Sequence, residues 1–328
     1  MLRVGLIGCG GVGSIHARCW AAMKDCVELT AIADADVEKA LKHAAPLGAK
    51  VYKDGYELLE QEELDVIDIC VPTFLHADYC MKAMERVKNI IVEKPLCLKE
   101  EQIERLVEVR DRTGAFVQVA HVVRFTDAYH FLKELVESGK YGKVIAGCFS
   151  RISPRPMWMK GHDDMDRTGT MTMDMHIHDA DYICYLMGRQ PDEVKVQAVK
   201  DNNGIIQHIW ASYQFEDTVL QAEGSWDYPA EFPFTQAFRV RLKKAAVVLS
   251  ADGTLTVYPE DGEKFVPSLG EKKVLDLGIN VSDIGPYVNE IKYFTEAILA
   301  GKKESIVSLD EAVASVRLVR RELELGSL

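Results

Sequence analysis

The sequence lacks the features that mark several large classes of protein. No apolar run approaches the length of about 18 residues that crosses a bilayer, and we expect no signal peptide, because the chain begins with a strand-like pattern and one basic residue, Arg3. The 39 Lys and Arg are outnumbered by 51 Asp and Glu, a formal charge of −12, and there is no basic block. We therefore exclude nucleic acid and membranes as partners and expect a cytoplasmic protein.

Paired cysteines are also absent, since none of the eight cysteines belongs to a C-x-x-C motif. They are scattered among apolar neighbours, which is typical of small, buried, reduced side chains. Cys9 and Cys97 adjoin loops at strand ends, where a reactive thiol could contribute chemistry, but a packing role is favoured for both. The length of 328 residues exceeds one ordinary core and predicts two domains.

A glycine-rich turn between a strand pattern and a helix pattern is the strongest motif. Leu2 to Ile7 lead into Gly8–Gly13, which has the pattern G-x-G-x-x-G, and apolar residues at helical spacing follow. In such a turn the first glycine permits a tight bend, the second lets a pyrophosphate approach the backbone, and the third lets the helix pack on the strand. The phosphates lie on free N–H groups at the helix N-terminus. The predicted contacts are Gly8, Gly10, Gly11, Val12 and Gly13.

An acidic residue completes this motif. The second strand pattern, Val27 to Ala33, ends at Asp34, 21 residues after Gly13. A carboxylate there can accept hydrogen bonds from both hydroxyls of an adenosine ribose, and it would repel a 2′-phosphate. We therefore predict a dinucleotide cofactor and favour NAD. Lys39 and Lys42 lie shortly downstream, so NADP stays open as the alternative.

Residues 1–120 continue as alternating strand and helix patterns. They predict a doubly wound parallel sheet with right-handed crossovers, the Rossmann arrangement, in which ligands bind beyond the carboxyl ends of the strands. Two further strand patterns end in Pro72-Thr73-Phe74-Leu75-His76 and in Glu93-Lys94-Pro95, so we place both loops on the same rim as the glycine turn. The predicted cofactor contacts on these loops are Pro72, Thr73, His76, Glu93 and Lys94.

Residues 121–328 have a different pattern and are predicted to form an α+β domain for substrate binding and oligomerisation. After a helix pattern at Asp127 to Glu137 come seven short strand patterns between Val144 and Tyr258, which predict a large, mainly antiparallel open sheet. Two helix patterns follow, Tyr287 to Ala300 and Ser308 to Leu325, and could pack back on the first domain. Because one face of the sheet needs a cover, we expect a homodimer or homotetramer through it.

Asp174 and His178 are the candidates for acid–base chemistry. They are four residues apart in a predicted helical stretch, so they share a face and the carboxylate can orient the imidazole. Removing a hydride from an alcohol needs a base for the hydroxyl proton, here His178, and a cation for the developing alkoxide, here Lys94. The plain alternatives are a helix N-cap at Asp174, a core histidine at His178 and a solvated lysine at Lys94.

The same stretch has a metal-binding interpretation. His176 and His178, with neighbouring aspartates, supply ligand types that zinc accepts. However, residues two apart do not share a helical face, and a distant segment would have to fold back to complete the shell. We therefore predict no metal site. The further ligands that such a site would need are Asp179 or Asp181, together with His162 and Asp163.

Together these motifs resemble the glucose-fructose oxidoreductase and inositol dehydrogenase (Gfo/Idh/MocA) family. The resemblance covers nearly the whole chain, and its most specific parts are E-K-P and D-x-x-x-H. It implies a Rossmann domain plus an open-sheet domain, NAD or NADP as cofactor, and oxidation of a sugar or cyclitol hydroxyl. It also implies that Lys94, Asp174 and His178 occupy the family's catalytic positions. The segments that carry it are Gly8–Gly13, Glu93–Pro95, Val119–Phe125 with Arg124, Gly139–Val144 and the Asp174/His178/Asp181 spacing.

The sequence departs from the family pattern at three points. Pro72 precedes Thr73, so the family's T-P-x-x-x-H loop is matched only in part; Thr168-Gly169-Thr170 stands where relatives often carry three glycines; and His176 replaces a glycine. His176 therefore competes with His178 for the role of base, or shapes the pocket. Aromatic faces and fixed donors suit a sugar, with ordinary packing or surface charge as the alternative. The candidate substrate contacts are Arg124, Arg155, Trp158, His162, His176 and Tyr287.

The sequence thus predicts an NAD(P)-dependent oxidoreductase acting on a CH–OH group of a sugar, cyclitol or related polyol. Two alternatives stay open: a glycoside-processing enzyme that oxidises its substrate transiently and regenerates bound NAD, and a dinucleotide-binding regulator without turnover. Retention of Lys94, Asp174 and His178 favours an enzyme. The substrate, the hydroxyl attacked, the physiological direction and the oligomer size are left open.

Overall fold

The computed structural model describes residues 1–157, 159, 161–269 and 284–327. The chain divides into two compact units. Unit 1 contains Met1–Val122 and a later segment that ends at Val313; unit 2 begins at Val123 and includes the rest of the last helix from Ala314. Trp158, a candidate substrate contact, lies outside the described residues.

Unit 1 is built on a six-stranded parallel sheet. Its strands are β1 (Leu2–Ile7), β2 (Val27–Ala33), β3 (Lys50–Tyr52), β4 (Val66–Ile69), β5 (Asn89–Glu93) and β6 (Phe116–Ala120). They lie in the order β3-β2-β1-β4-β5-β6, with all neighbours parallel. This is the Rossmann order, and it confirms the predicted doubly wound sheet. The central strands are mostly buried, which explains their continuous apolar runs.

Helices connect these strands. They are α1 (Gly11–Ala22), α2 (Val37–Ala44), α3 (Gly55–Gln61), α4 (His76–Met84) and α5 (Glu100–Thr113). Helix α1 begins inside the glycine turn, and α5 is capped by Gly114, directly after its last residue, whose φ of 66° is the left-handed conformation that glycine adopts easily. Because the helices return the chain to the same edge of the sheet, the carboxyl ends of the strands share one rim.

Unit 2 contains α6 (Asp127–Glu137), at the predicted bounds, α7 (Ile177–Met187) and a seven-stranded sheet. Its strands are β7 (Val144–Pro154), β8 (Glu193–Lys200), β9 (Ile206–Phe215), β10 (Thr218–Tyr228), β11 (Thr235–Leu242), β12 (Ala245–Leu249) and β13 (Leu255–Pro259). They lie in the order β13-β12-β11-β7-β10-β9-β8, with β7 and β10 parallel and five antiparallel pairs. The mainly antiparallel sheet is confirmed.

Aromatic packing joins α6 and α7 to the inner face of this sheet. The Tyr129 ring of α6 meets the Tyr182 ring of α7 and the Phe238 ring of β11 edge-on, with centroids 4.7 and 5.1 Å apart. Phe149 of β7 lies 5.6 Å from Phe238. All four side chains are at most 1% exposed, so they form part of the core between α6, α7 and the sheet.

Two more helices follow, α8 (Gly285–Leu299) and α9 (Leu309–Leu325). Helix α8 and the first turn of α9 belong to unit 1, whereas the remainder of α9 belongs to unit 2. Within unit 1, Ser305 Oγ donates a hydrogen bond to Gln118 Oε1 of β6 at 2.9 Å. Among the described helices, none combines the length and apolar character needed to traverse a bilayer.

Candidate functional site

The glycine turn joins β1 to α1, and its three fingerprint glycines have different surroundings. A Cβ on Gly8, whose φ is +96°, would lie 2.5 Å from the Cys70 carbonyl oxygen, and a Cβ on Gly13 would lie 2.0 Å from the Gly8 carbonyl oxygen. A Cβ on Gly10 would meet no described atom within 4 Å. The fold itself therefore requires glycine at the first and third positions, whereas the second faces open space that a pyrophosphate needs.

Asp34 lies beside this turn at the end of β2. Its Oδ2 accepts a hydrogen bond from the Cys9 backbone N–H at 2.6 Å, and its Oδ1 accepts one from the Asp36 N–H at 2.8 Å. Each carboxylate oxygen can accept two hydrogen bonds, and Asp34 is half-exposed, so acceptor capacity remains for ribose hydroxyls.

The two candidate thiols are poorly suited to nucleophilic chemistry. Burial, followed by the charge of Asp34, raises the pKa of the Cys9 thiol to about 12. Cys9 is therefore protonated at neutral pH, and the thiolate is the reactive form. Cys97 is 1% exposed. Both cysteines fit the packing role that the sequence favours.

His76 braces two loops at the strand ends. Its Nε2 lies 2.8 Å from the Val71 carbonyl oxygen, and its Nδ1 lies 2.7 Å from the Pro95 carbonyl oxygen. The side chain is 2% exposed. His76 thus fixes the loop after β4 relative to the loop after β5. Of the predicted cofactor contacts on these loops, Pro72, Thr73 and Lys94 reach the surface, whereas His76 and Glu93 are buried.

Behind the loop after β5 lies a buried polar cluster that the sequence interpretation did not include. Glu93 Oε1 is 3.3 Å from His16 Nε2, and His16 Nδ1 is 2.9 Å from Asp68 Oδ2. A signal was present, because Asp68 is a charged residue inside the apolar strand Val66–Ile69 and a buried charge needs a partner. Tyr287, a candidate substrate contact, is 7% exposed and meets the His16 ring edge-on, with centroids 6.0 Å apart.

In unit 2, the segment before α7 is a π-helix, Thr172–His176. Such wide turns are frequent at functional sites. It is preceded by Thr170 with a φ of +58°, which is unusual for a β-branched residue. Of the ten residues Met171–Ala180, eight are buried, and Asp174 and His178 are half-buried. The two side chains that the sequence pairs by spacing therefore share the side of the segment that reaches solvent.

The two aspartates that follow in α7, Asp179 and Asp181, form ion pairs inside unit 2. Arg151 Nε donates to Asp179 Oδ2 at 2.7 Å, and the Arg124 guanidinium donates to Asp181 Oδ1 at 2.6 Å. Ser315 Oγ also donates to Asp181, at 2.7 Å. Arg124 is 1% exposed, so the structure gives it a core ion pair in place of the expected substrate contact.

His176 is enclosed by the core. Its Nε2 lies 2.9 Å from Glu322 Oε2 and 3.3 Å from the Tyr213 hydroxyl, and the ring is 0% exposed. A Cβ on Gly224 would lie 2.9 Å from its Nδ1, so β10 covers the other side of the ring. This geometry corrects the expectation that His176 could serve as base or as a substrate contact, because no substrate atom can reach it.

Two other candidate substrate contacts stay accessible in unit 2. The Arg155 guanidinium donates to Gln207 Oε1 at 3.0 Å and to Asp227 Oδ1 at 3.2 Å, and its side chain is 38% exposed. The half-buried His162 ring meets Trp226 edge-on, with centroids 6.2 Å apart. Both present donors or an aromatic edge, which polyhydroxylated ligands use.

Known proteins share this architecture. Residues 2–121 match "Oxidoreductase family, NAD-binding Rossmann fold", and residues 129–248 match "GFO/IDH/MocA C-terminal domain". The strand order and glycine turn define an oxidoreductase-type NAD-binding domain, followed by a separate open-sheet domain. The chain belongs to the Gfo/Idh/MocA family, which confirms the resemblance found in its motifs.

Several relatives act on cyclitols or sugars. Myo-inositol 2-dehydrogenase of Thermotoga maritima is 31% identical over 194 residues. The matched region covers 59% of this chain and 57% of that protein, so this chain spans less than two thirds of that relative's length. The scyllo-inositol 2-dehydrogenase (NAD(+)) of Bacillus subtilis is 26% identical over 327 residues, 95% of this chain and 90% of that protein. Levoglucosan dehydrogenase in complex with NADH and levoglucosan superimposes with a TM-score of 0.86, covering 99% of this chain and 97% of that chain. At 19% identity this last likeness shows the fold alone.

Proposed function

We propose that the protein is an NAD-dependent dehydrogenase that transfers a hydride from a CH–OH group of a sugar, cyclitol or related polyol. The observation that carries the proposal is the exposure pattern of Met171–Ala180, in which Asp174 and His178 reach solvent while their eight neighbours are buried. A carboxylate and an imidazole kept accessible on an otherwise closed segment suit proton transfer. The inositol dehydrogenases among the relatives support the same class.

His178 is the proposed general base. Its imidazole takes the proton of the substrate hydroxyl while the hydride leaves the carbon that bears this hydroxyl. Asp174 orients the imidazole ring and stabilises the imidazolium that forms. Help of this kind contributes about 10²- to 10⁴-fold in rate. His176 is set aside as base because its Nε2 is bonded to Glu322 in the core.

Lys94 is the proposed cation for the developing alkoxide. It is half-buried at the end of β5, on the rim where ligands of such sheets bind. An ammonium group carries three donors and no acceptor, so it can stabilise an oxygen that gains negative charge and still hold a second hydroxyl. The proton accepted by His178 then passes to solvent, to which that side chain is open.

The proposed cofactor is NAD, which when bound accepts the hydride on its nicotinamide ring. Gly10 with the N-terminus of α1, including Gly11 and Val12, would hold the pyrophosphate, and Asp34 would accept the ribose hydroxyls. NADP is disfavoured because its 2′-phosphate would face the Asp34 carboxylate. Pro72 and Thr73 would line the nicotinamide side of the rim, with Glu93 and His76 holding the loops.

We further propose a cytoplasmic homo-oligomer that pairs through the outer face of the unit 2 sheet. Strand register places four exposed apolar side chains on that face, each 36 to 51% exposed. Exposed apolar area of this kind indicates an interface, and light scattering of Trp210→Glu is expected to give a smaller species than the unaltered chain. These side chains are Val199, Trp210, Val219 and Tyr258.

The test is turnover against a panel of sugars, cyclitols, sugar acids and glycosides, with NAD and NADP in separate arms. We expect reduced cofactor to accumulate with at least one polyol and NAD, and His178→Gln to lower that rate by about 10²-fold or more. His130→Gln is the matched control, because His130 is exposed on α6 and pairs with Glu134. Glycoside cleavage without net reduced cofactor would replace the proposal by transient oxidation, and binding without turnover would replace it by a regulator.

A further inference from the structure

A cluster of ionisable side chains is buried inside unit 1, beneath the loop that carries Lys94. His16, Asp68 and Glu290 are 0% exposed and Glu93 is 7% exposed. Burying charges is costly unless they are paired, so the cluster needs an internal balance of charge. The groups that face His16 are Asp68 of β4, Cys70 directly after β4, Glu93 of β5, and Tyr287 and Glu290 of α8. Trp20, on the same helix α1 as His16, donates a hydrogen bond to Asp68.

His16 supplies positive charge to the cluster as an imidazolium. Both ring nitrogens face carboxylates: Nδ1 is hydrogen-bonded to Asp68 Oδ2 at 2.9 Å, and Nε2 lies at ion-pair distance from Glu93 Oε1, 3.3 Å, without a hydrogen bond. A ring that carries a proton on each nitrogen suits two carboxylate neighbours. Burial alone would lower the pKa of His16, but Cys70 and the Asp68 carboxylate outweigh it and hold the pKa well above its ordinary value. The cation thus lies between two anions.

The cluster reaches Lys94 through Glu93. The other carboxylate oxygen of Glu93, Oε2, accepts the backbone N–H of Lys94 at 3.1 Å. One side of this carboxylate therefore faces His16 and the other fixes the peptide from which the lysine side chain projects. A carboxylate that a cation attracts at one oxygen is restrained in the orientation that its other oxygen presents.

A metal ion is the competing explanation, because ligand atoms of His16, Asp68 and Cys70 all lie within 4.8 Å of one another. The distances favour a proton. Two ligand atoms on one tetrahedral zinc, each about 2.0 Å from it, would be about 3.3 Å apart, whereas Nδ1 and Oδ2 are 2.9 Å apart. The same Oδ2 also accepts the Trp20 indole N–H at 2.7 Å.

We propose that His16 is a positioning residue for Lys94, acting as a buried imidazolium that holds Glu93, and through Glu93 the Lys94 peptide, in one orientation. This inference rests on the proposed catalytic use of Lys94, but its structural part is independent of turnover. His16 touches neither substrate nor cofactor in this role. Loss of His16 therefore lowers the rate constant of turnover and leaves NAD affinity almost unchanged.

The structural part is tested by NMR on the full chain without substrate. We expect both ring nitrogens of His16 to carry protons at pH 7 and 8. We expect His16→Gln to speed amide hydrogen exchange of Lys94 by about tenfold or more, as loss of a charge-assisted acceptor should. Ile15→Val is the matched control, since Ile15 is buried on the same helix and carries no polar group, and should leave that amide unchanged.

The functional part is tested by kinetics with a substrate from the panel. We expect His16→Gln to lower kcat by about 10- to 100-fold, as a small misplacement of a catalytic group does, with the Kd for NADH changed by less than about threefold. The double variant with Glu93→Gln should lose about as much as Glu93→Gln alone, because the two residues act in series.

Distinct results would overturn the inference. They are an unprotonated His16 nitrogen at pH 7, one equivalent of zinc in the purified protein, unchanged exchange at Lys94, or additive losses in the double variant. If His16→Gln does not fold, two other measurements test the inference. They are the NMR spectrum of the His16 ring in the unaltered chain and the amide hydrogen exchange of Lys94 in Glu93→Gln. If the spectra and the amide exchange are as expected but no substrate is turned over, the inference that His16 positions Lys94 stands. The proposed function is then wrong.

Discussion

His176 and Glu322 form a buried pair in unit 2, with Nε2 and Oε2 2.9 Å apart and neither side chain exposed. The pair joins the π-helix Thr172–His176 to α9 across 146 residues of sequence. It therefore fixes the segment that carries Asp174 and His178, and it separates the two histidines that the sequence left in competition.

Replacing His176 should mainly lower stability, whereas replacing His178 should mainly lower activity. Removing one partner of a buried hydrogen bond leaves the other group unsatisfied and costs about 1 to 3 kcal/mol, so we expect His176→Ala to lower the free energy of unfolding by at least that amount in urea titrations followed by tryptophan fluorescence. His178→Ala removes a half-buried side chain and should cost less than about 1 kcal/mol, while it lowers kcat by about 10²-fold or more. A stable, inactive His176→Ala together with an unstable, active His178→Ala would reverse the assignment of the base.

The fold could be predicted from local sequence patterns, because the spacing of apolar residues determines which segments form helices and which form strands. Alternating strand and helix runs of ordinary length permit few topologies, and α6 occupies Asp127–Glu137, as its apolar spacing predicts. The seven strands of unit 2 were visible because alternating residues face a core on one side of the sheet.

Contacts between distant residues could not be predicted in the same way. Asp68 in an apolar strand indicates that some partner exists, but the partner, His16, lies 52 residues earlier. The sequence alone also could not predict which of His176 and His178 is buried. A π-turn shifts the helical phase, so spacing alone does not say which of two histidines faces the core.

Gly10 and Gly13 belong to one motif but should respond oppositely to alanine. A Cβ at Gly13 would lie 2.0 Å from the Gly8 carbonyl oxygen, and such overpacking against backbone should cost about 3 kcal/mol or more. Gly10 has a φ of −67°, which any residue adopts, and open space around it. Gly10→Ala should therefore keep its stability within about 1 kcal/mol and weaken NADH binding by about tenfold or more, as measured by calorimetry. Unchanged NADH affinity in Gly10→Ala would remove the pyrophosphate from this turn.

Asp34 should set the preference between the two nicotinamide dinucleotides. Asp34→Ser removes the charge that opposes a 2′-phosphate, so the ratio of the Kd for NADPH to the Kd for NADH is expected to fall by about tenfold or more. Fluorescence titration of the two reduced cofactors measures this ratio. Asp36→Asn is the control, because Asp36 is exposed and its carboxylate pairs with Lys39. An equal change of the ratio in both variants would show a general loosening of the loop.

Glu290 should make the protein less stable as the pH rises. Its side chain is 0% exposed, and neither carboxylate oxygen has a hydrogen-bond partner among the described residues. Burial, followed by the charge of Glu93, raises the pKa of Glu290 well above its ordinary value, although His16 opposes the shift. The folded protein therefore keeps a proton that the unfolded chain releases, so stability falls with pH between the unfolded pKa, about 4.3, and the folded pKa.

Replacing Glu290 by glutamine removes this proton and its pH dependence. Relative to the unaltered chain, Glu290→Gln should gain up to about 1.4 kcal/mol of unfolding free energy per pH unit within that window, with little difference at pH 4, as measured by urea unfolding between pH 4 and 8. Glu296→Gln on the same helix is the control, since Glu296 is exposed and pairs with Lys292, and its curve should run parallel to that of the unaltered chain. Parallel curves for Glu290→Gln as well would mean that Glu290 is ionised in the folded protein, and the buried cluster would then hold three carboxylates, those of Asp68, Glu93 and Glu290, against the imidazolium of His16.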